Sequence, residues 1–254
     1  MITIKSAREL DLMRQAGRIV AGTLKEIEEA IKPGITTLEL DSLAYRYIKK
    51  NGAEPAFLNY HGFPASICCS INEEVVHGIP GLRRLKDQDL VSIDVGAKYK
   101  GYYGDAAVTF AVGEIDAERQ KLIDVTREAL RRAVLMTREG NFLSDISHAV
   151  QQYVEAHGFS VVRDYVGHGI GSSMHEAPQV PNFGPPGRGP RLRSGMVLAI
   201  EPMVNMGGWE VKTLNDGWTV VTQDGSLSAH FEHTVAVVDK MPEVLTSFTP
   251  EEFQ

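Results

Sequence analysis

Cysteine, positive charge and long apolar runs are all scarce in this sequence. Its only two cysteines, Cys68 and Cys69, are adjacent, which suits neither a disulfide framework nor a zinc ribbon. Lysine and arginine number 26 against 33 aspartates and glutamates, so the net charge is −7 and nucleic acid is not expected as the main partner. No apolar run approaches the roughly 20 residues of a membrane-spanning helix, and the charged start does not resemble a signal sequence. These absences favour a cytoplasmic enzyme with reduced cysteines, no membrane partner and no direct nucleic-acid specificity.

The composition that is present is typical of a globular protein, with 43% hydrophobic and 23% charged residues in a chain of 254. Apolar periodicity and helix-end signals predict four helices, at about residues 6–31, 38–51, 116–138 and 143–157. Ser6 and Glu9 have the spacing of a capping box at the start of the first helix. Strand-like segments at 65–79 and 90–112 separate the two helix pairs, and strands and loops follow residue 160. The predicted fold class is therefore α+β.

The two helix pairs resemble each other at a constant offset, since Gly34 recurs as Gly140, 106 residues later. Ordinary amphipathic hairpins that share helix-end residues would give such matches, and so would an internal duplication into halves related by a pseudo-twofold axis, with a site between them. We expect one domain over residues 1–254, because the Pro/Gly-rich segment 178–190 interrupts the strands without a change of composition and is typical of a surface loop. The other matches are Leu24 with Leu130, Leu40 with Ile146, Tyr47 with Tyr153, Ile48 with Val154 and Gly52 with Gly158.

Four carboxylates lie in segments that are otherwise apolar. Asp94 and Asp105 fall within the 90–112 segment, Glu201 ends the run Val-Leu-Ala-Ile, and Glu232 opens a further strand-like run. An isolated buried carboxylate is unfavourable, so it normally pairs, becomes protonated or binds a cation. A strand end that faces water explains one such acid more readily than four. The pattern therefore predicts a cation site.

The segment 90–112 predicts a β-hairpin that turns at Tyr99 and Lys100. A two-residue turn at that place would put Asp94 directly opposite Asp105, with Cβ atoms about 4.5–5.5 Å apart. Like charges at that distance repel each other. Two divalent ions roughly 3.5–4 Å apart, bridged by carboxylates, would make the arrangement favourable.

One of the eight histidines differs from the rest. His168 lies between glycines in the sequence GHGIG, where the backbone can approach its neighbours closely. Most of the others have ordinary placements: His148 and His157 fall on the fourth predicted helix, His61 lies in a loop, and His233 should point away from Glu232 on an extended strand. Neutral His168 and four carboxylates would balance the charge of two divalent ions. Oxygen ligands with one imidazole suit manganese, iron(II), cobalt or zinc, and the sequence does not choose between them.

At these residues the sequence resembles a known family, the pita-bread metallopeptidases. The matching motifs occur in order: Asp94, Asp105 within YYGD, His168 within GHGIG, Glu201 within IEPMV and Glu232 within FEHTV. The resemblance runs from the first helix to about residue 246 and points to the type I methionine aminopeptidases in their short bacterial form. It implies a curved antiparallel sheet covered by two helix pairs that a pseudo-twofold axis relates.

The resemblance also implies a role for each ligand. Asp94 is expected to bind one divalent ion through both oxygens, and Asp105 and Glu232 to bridge it to a second ion. His168 and Glu201 are expected to complete the ligands of that second ion, and Glu201 also to shuttle a proton. The two ions would activate a water molecule for attack on the first peptide bond.

Further positions match family residues that contact the substrate. His77 corresponds to a histidine near the scissile bond, and His175, seven residues after His168, to one that stabilises the tetrahedral intermediate. Without the resemblance, the aromatic residues of the pocket would be assigned to the core. The walls of the methionine pocket correspond to Phe57, Tyr60, Phe63, Cys68, Met174 and Trp218.

The implied function is co-translational removal of the initiator methionine from nascent proteins with a small second residue, by a monomeric enzyme. The free α-amino group of the substrate would complete a metal's ligands, which restricts cleavage to the first residue. The basic clusters at 83–86 and 188–193 offer a weak ribosome contact, although solvated loops are the simpler interpretation.

Two positions depart from the family pattern. Tyr103 stands where relatives often have histidine, and His230 where they often have glutamine. On an extended strand His230 shares a face with Glu232, which predicts a hydrogen-bond donor beside the metal ligands.

Three alternatives share this fold. Xaa-Pro aminopeptidases and dipeptidases carry a large domain before the catalytic one, whereas the first predicted ligand here is already Asp94. Type II methionine aminopeptidases have a helical insertion between their last two glutamate ligands, and the 31-residue step from Glu201 to Glu232 leaves no room for it. A non-catalytic relative that binds nascent chains would be expected to have lost ligands, and all five are present.

Overall fold

The computed structural model describes residues 2–238 and 241–247, which contain four α-helices. They are α1 (Ala7–Ala30), α2 (Thr37–Lys50), α3 (Ala117–Met136) and α4 (Leu143–Ala156), so each predicted helix is confirmed with ends shifted by at most two residues. The capping box is also confirmed, because the Ser6 amide donates to Glu9 Oε2 at 2.7 Å and the Glu9 amide to Ser6 Oγ at 3.4 Å. Among the described residues, no helix has the length and apolar composition that crossing a membrane requires.

The strands form one large and two small sheets, and every pairing is antiparallel. The strands are β1 (Glu54–Pro55), β2 (Ile67–Ile71), β3 (Glu74–Val76), β4 (Leu90–Tyr99), β5 (Tyr102–Ala111), β6 (Ser160–Val161), β7 (Gly167–Gly169), β8 (Glu176–Val180), β9 (Val197–Ile200), β10 (Met203–Asn205), β11 (Val211–Thr213), β12 (Val220–Thr222), β13 (Ser228–His230), β14 (Glu232–Val238) and β15 (Met241–Val244). The large sheet has the order β1-β4-β5-β14-β9-β7-β8, with β2 beside β4 and β15 beside β14. The small sheets are β13-β10-β6 and β11-β12-β3.

The β4–β5 hairpin turns one residue later than predicted. Its turn is Lys100-Gly101, with φ of 47° and 90°, because a tight two-residue hairpin turn of the I′ type needs positive φ at both central positions. Asp94 therefore lies opposite Ala107, and the predicted direct pairing of Asp94 with Asp105 is wrong. Asp105 and Ala107 are two positions apart and share a face, so the two acids are diagonal neighbours on the same side of the sheet.

The Pro/Gly-rich segment 178–190 is a loop only in part. Its first three residues belong to β8, where Gln179 pairs with His168 of β7. Residues 181–190 form no strand and are largely accessible to solvent, as predicted for a surface loop. The correction arises because β7, which carries His168, needs an antiparallel partner on this side.

Each helix pair packs an apolar cluster of its own against the large sheet. Helices α1 and α2 cover Val91 and Ile93 of β4, whereas α3 and α4 cover Leu198 of β9 and Val235 of β14. The loops that join the helices are also alike. Gly34 and Gly140 have φ of 94° and 92°, and their carbonyls each accept a 2.6 Å hydrogen bond from an arginine, Arg84 and Arg191 respectively. This likeness agrees with the predicted duplication, which stays a prediction about origin.

The two halves meet where β5 pairs with β14, and two threonines make matching contacts there. Thr234 Oγ1 accepts the Asp105 amide at 2.9 Å and donates to the Asp105 carbonyl at 2.8 Å. Thr109 Oγ1 accepts the His230 amide at 2.8 Å and donates to the His230 carbonyl at 2.9 Å. Each hydroxyl thus satisfies both backbone groups of one residue in the other half, and this contact is called the threonine seam below.

Candidate metal centre and substrate pocket

The fold brings the five predicted metal ligands together. Asp105, His168 and Glu232 are buried, and each offers a ligand atom within 4.8 Å of the others. His168 Nε2 also lies 3.7 Å from Glu201 Oε1. The ligands come from neighbouring strands of the large sheet: Asp94 from β4, Asp105 from β5, Glu232 from β14, Glu201 just after β9 and His168 from β7.

Burial without compensating charge dominates the electrostatics of this cluster. It raises the pKa of Asp94 to about 7. Burial and the charges of neighbouring carboxylates raise the pKa values of Asp105, Glu201 and Glu232 well above their ordinary range. Oxygens of Asp94, Asp105 and Glu232 are buried without a hydrogen-bond partner in the described part of the chain. Such atoms normally bind something, and a cation is the partner that suits several carboxylates at once.

His168 presents its Nε2 atom to these carboxylates. Its Nδ1 lies 2.8 Å from the Gly169 carbonyl, an acceptor, so Nδ1 carries the hydrogen and Nε2 keeps a free lone pair. Burial lowers the pKa of this imidazole to about 4, which keeps it neutral. The flanking glycines are required sterically, because a Cβ at Gly167 would lie 2.4 Å from the Ala199 carbonyl oxygen. The close approach predicted from GHGIG is thereby confirmed.

A cavity of about 380 Å³ opens above the ligands. Phe63 and Trp218 form one wall, with ring centroids 5.1 Å apart in an edge-to-face arrangement. Burial raises the pKa of Cys68 far above its usual range, so this side chain is a neutral thiol in an apolar wall. All predicted pocket and substrate residues line this cavity, together with the ligands: Phe57, Tyr60, Phe63, Cys68, His77, Met174, His175 and Trp218.

Two further histidines face the cavity. The Nδ1 of His175 lies 2.7 Å from the Tyr60 hydroxyl, and its ring contacts that of His168 with centroids 4.2 Å apart and planes tilted by 48°. His77 has a positive φ of 61° and its ring meets Tyr165 edge-on at 5.5 Å. Burial lowers the pKa of both imidazoles, to about 4 for His77. An unusual backbone conformation beside a cavity is common at functional sites.

Three further residues lie in or beside the cavity and were not predicted from the sequence as site residues. His61 lines the cavity, and Tyr165 contacts His77. Lys5 is buried and forms a 2.7 Å ion pair with Glu176. Glu176 directly follows His175, so this ion pair holds the segment that carries His175. Tyr165 is close in sequence to GHGIG, which could have indicated it. The contact of Lys5 spans 171 residues and has no local signal.

The two departures from the family pattern occupy different places. Tyr103 packs beside the pocket cluster, and its amide donates to the Gly171 carbonyl at 2.9 Å. His230 is almost completely buried, and its Nε2 lies 3.8 Å from Glu201 Oε2. This agrees with the expectation that His230 faces the ligands. His233 points elsewhere as predicted, with Nδ1 2.9 Å from Thr246 Oγ1.

Comparison with known proteins identifies the class. Residues 11–239 match metallopeptidase family M24, and the chain belongs to this family. The chain is 58% identical over 246 residues to the methionine aminopeptidase of Clostridium perfringens, covering 97% of this chain and 99% of that protein. Among solved structures, the methionine aminopeptidase of Thermotoga maritima superposes with a TM-score of 0.96 at 50% identity, over 97% of this chain and all of that one. The resemblance predicted from five motifs, the enzyme class and the pita-bread fold are confirmed.

A prolidase from Pyrococcus horikoshii shares the fold at a TM-score of 0.78, but is only 23% identical. This chain covers 63% of that prolidase, against 100% of the Thermotoga maritima enzyme. The prolidase comparison therefore speaks for the fold alone.

Proposed function

We propose that this chain removes the N-terminal methionine from nascent proteins with a small second residue, co-translationally, by hydrolysis of the first peptide bond. One observation carries the proposal: the five ligands lie in the cavity whose walls are apolar and sulfur-containing. A cavity of about 380 Å³ is at the small end for ligand pockets. It suits one side chain and the bond beside it rather than a long peptide.

The donor set fits divalent cations. Two buried and two partly buried carboxylates and one neutral imidazole, with unpartnered oxygens on three of the acids, carry a formal charge that two divalent ions would balance. We therefore assign two ions to the site, with manganese, iron(II), cobalt and zinc all compatible with oxygen and imidazole ligands. When bound, they would supply Lewis acidity that makes water nucleophilic and polarises the scissile carbonyl.

The side chains around the reacting bond then have distinct tasks. Glu201 lines the cavity beside the ligand cluster, and its carboxylate would take a proton from water and pass it to the leaving amine. His175 Nδ1 pairs with the Tyr60 hydroxyl, and in the tautomer that accepts this hydroxyl Nε2–H would donate to the carbonyl oxygen as negative charge develops on it. His77 lines the same cavity and would contact the substrate beside the scissile bond.

The methionine side chain would lie among the pocket walls. Met174 and Cys68 are buried there and offer polarizable sulfur to a thioether, while Trp218 and Phe63 close the far side. The α-amino group of the substrate would approach the ligands, so only a first residue fits. This geometry predicts an exopeptidase rather than an endopeptidase.

We further propose that the chain acts as one domain, as a monomer in the cytoplasm. The basic clusters at 83–86 and 188–193 have internal partners. Arg84 and Arg191 bind the carbonyls of Gly34 and Gly140, and Arg83 forms an ion pair with Glu74. These contacts favour a structural role for the clusters over a ribosome contact.

The decisive experiment compares three peptides, Met-Ala-Ser, a Met-Leu peptide and an Ala-Pro peptide, with wild type and Glu201→Gln after metal is added back. We expect metal-dependent release of methionine from Met-Ala-Ser only, nearly abolished in Glu201→Gln because the proton shuttle is lost. Preference for Ala-Pro would favour an Xaa-Pro peptidase instead. Absence of cleavage by well-folded, metal-loaded wild type would favour a non-catalytic relative that binds nascent chains.

A further inference from the structure

The threonine seam relates one predicted metal ligand, Asp105, to His230, which is not among the predicted ligands. Thr234 holds both backbone groups of Asp105, and Thr109 holds both backbone groups of His230, with four hydrogen bonds of 2.8–2.9 Å. In this pattern of contacts, His230 of the second half therefore occupies the position that corresponds to Asp105 of the first half.

Two backbone hydrogen bonds on the strands beside the threonine seam also match between the two halves. The Val112 amide donates to the Asp89 carbonyl at 2.9 Å, and the Val237 amide donates to the Met196 carbonyl at 2.8 Å. Five residues beyond Asp89 is Asp94, and five residues beyond Met196 is Glu201, so these two acids also correspond. The backbone thus directs the side chain of residue 230 toward the ligands, as it directs that of residue 105.

The imidazole of His230 lacks the partner that a buried histidine normally has. The residue is 1% exposed, and its Nε2 is buried without a hydrogen-bond partner among the described residues. His233, three residues on, shows the usual arrangement through Thr246. A buried donor left unpaired is unfavourable, so its retention beside a ligand cluster points to a partner that forms in the loaded site.

The distances from His230 Nε2 and His168 Nε2 to the Glu201 carboxylate show how these side chains are arranged. The nearest ligand oxygen to His230 Nε2 is Glu201 Oε2, at 3.8 Å, which is too long for a hydrogen bond. Glu201 faces His168 with its other oxygen at 3.7 Å, so its two oxygens have different neighbours.

We propose that His230 is a positioning residue of the metal centre, whose Nε2–H donates to Glu201 Oε2 and fixes the orientation of that carboxylate when it binds metal. Hydrogen bonds from such outer partners orient metal ligands and typically change affinity 10–100-fold. The inference rests on the proposed metal site, but it concerns metal affinity and does not require the proposed substrate.

The test uses two substitutions that differ in one property. His230→Gln keeps an N–H donor, whereas His230→Leu keeps the bulk and removes the donor. Binding of Mn²⁺ is measured by calorimetry on metal-stripped protein, and thermal unfolding is followed with and without Mn²⁺. We expect a roughly 10–100-fold weaker Kd for His230→Leu and a change below about threefold for His230→Gln.

The unfolding data separate positioning from simple packing. Removing an unsatisfied buried donor should leave metal-free His230→Leu at least as stable as wild type, while its stabilisation by Mn²⁺ becomes smaller. A merely structural role would lower the metal-free Tm instead, and that result would overturn the proposal. Equal Mn²⁺ affinity in His230→Leu and wild type would overturn it too, as would equal loss in both variants.

Nitrogen NMR of the histidines with Zn²⁺ bound provides an independent readout. A protonated Nε2 on His230 is expected, and a metal-bound Nε2 would show direct ligation and refute the positioning role. If Mn²⁺ binds and His230 behaves as expected while no methionine is released, the proposed substrate fails and this inference stands.

Discussion

The two halves of the molecule have matching backbone contacts but carry different side chains at the corresponding positions. In the first half Ser70 lies opposite Ser92 on the neighbouring strand, and in the second half His168 lies opposite Ala199. These are corresponding places, since Ser92 precedes Asp94 by two residues and Ala199 precedes Glu201 by two. The same strand position thus carries a hydroxyl in one half and the metal-facing imidazole in the other.

The difference continues on the central strands. Asp105 of the first half corresponds to His230, and Ala107, opposite Asp94, corresponds to Glu232. Only the pair Asp94 and Glu201 keeps a carboxylate in both halves. The matching backbone contacts therefore account for where the side chains converge, and the different residues at corresponding positions account for why the set of ligands is asymmetric, with nitrogen on one side only.

The largest expected effect comes from removing the imidazole of His168, the nitrogen ligand that only the second half supplies. His168→Ala should weaken metal binding by more than about 100-fold, because loss of a ligand should exceed the 10–100-fold typical of outer partners. Ser70→Ala is the matched change in the other half. Its hydroxyl accepts the Gly78 amide at 3.1 Å, so we expect a loss of about 1 kcal/mol in stability and little change in metal affinity. Mn²⁺ calorimetry and denaturant unfolding would check both, and comparable affinities in the two variants would contradict the comparison.

Removing the metal should make carboxylates from the two halves repel each other, with a pH dependence of definite sign. The pKa is raised to about 7 for Asp94 and is also raised for Asp105, Glu201 and Glu232, so near neutral pH the folded chain holds protons that the unfolded chain has lost. Metal-free stability should therefore fall as the pH rises from about 6.5 toward 7, by at most about 1.4 kcal/mol per pH unit for each proton that the folded chain still holds.

Buried histidines define the lower limit of this window. The pKa values of His77 and His168 are lowered to about 4, so they oppose the trend only below the unfolded value of about 6.5. With Mn²⁺ bound, the carboxylates are ionised throughout and the slope should vanish. Melting curves in chelator and in Mn²⁺ would measure this, and a metal-free Tm that is flat or rising over the window would refute it.

The smallest effect concerns the helix starts, where the halves also differ. Thr36 accepts the Glu39 amide at 3.2 Å before α2, whereas Phe142 at the corresponding place before α4 has no side-chain acceptor. Thr36→Ala should cost about 1 kcal/mol of stability. Phe142→Thr would add a cap but lose the stacking of Arg191, 4.2 Å from the ring, so its net change should stay within about 0.5 kcal/mol. If the unfolding midpoint rose in Phe142→Thr by as much as it fell in Thr36→Ala, the contact between Arg191 and the Phe142 ring would contribute nothing to stability.

Local signals account for most of what could be predicted from the sequence. Helix ends follow from Ser6, Asp116 and the glycines after each helix, and the ligands follow from acids in apolar strands. The hairpin register failed because the turn depends on which residues accept positive φ, and Lys100 does so without being glycine. The ion-pair partner of Lys5, Glu176, lies far along the chain, where no periodicity could indicate it.

The threonine seam has a consequence for how this molecule could be taken apart. Thr109 and Asp105 belong to one half, Thr234 and His230 to the other, and each half offers the other a hydroxyl and a peptide unit. Self-complementary exchange of this kind is the form of a twofold interface between subunits. A chain break between β5 and α3 would leave the seam intact and keep most of each helix pair's apolar cluster within one fragment. The metal centre would then be an interfacial site, and hydrolysis the property of a two-component assembly.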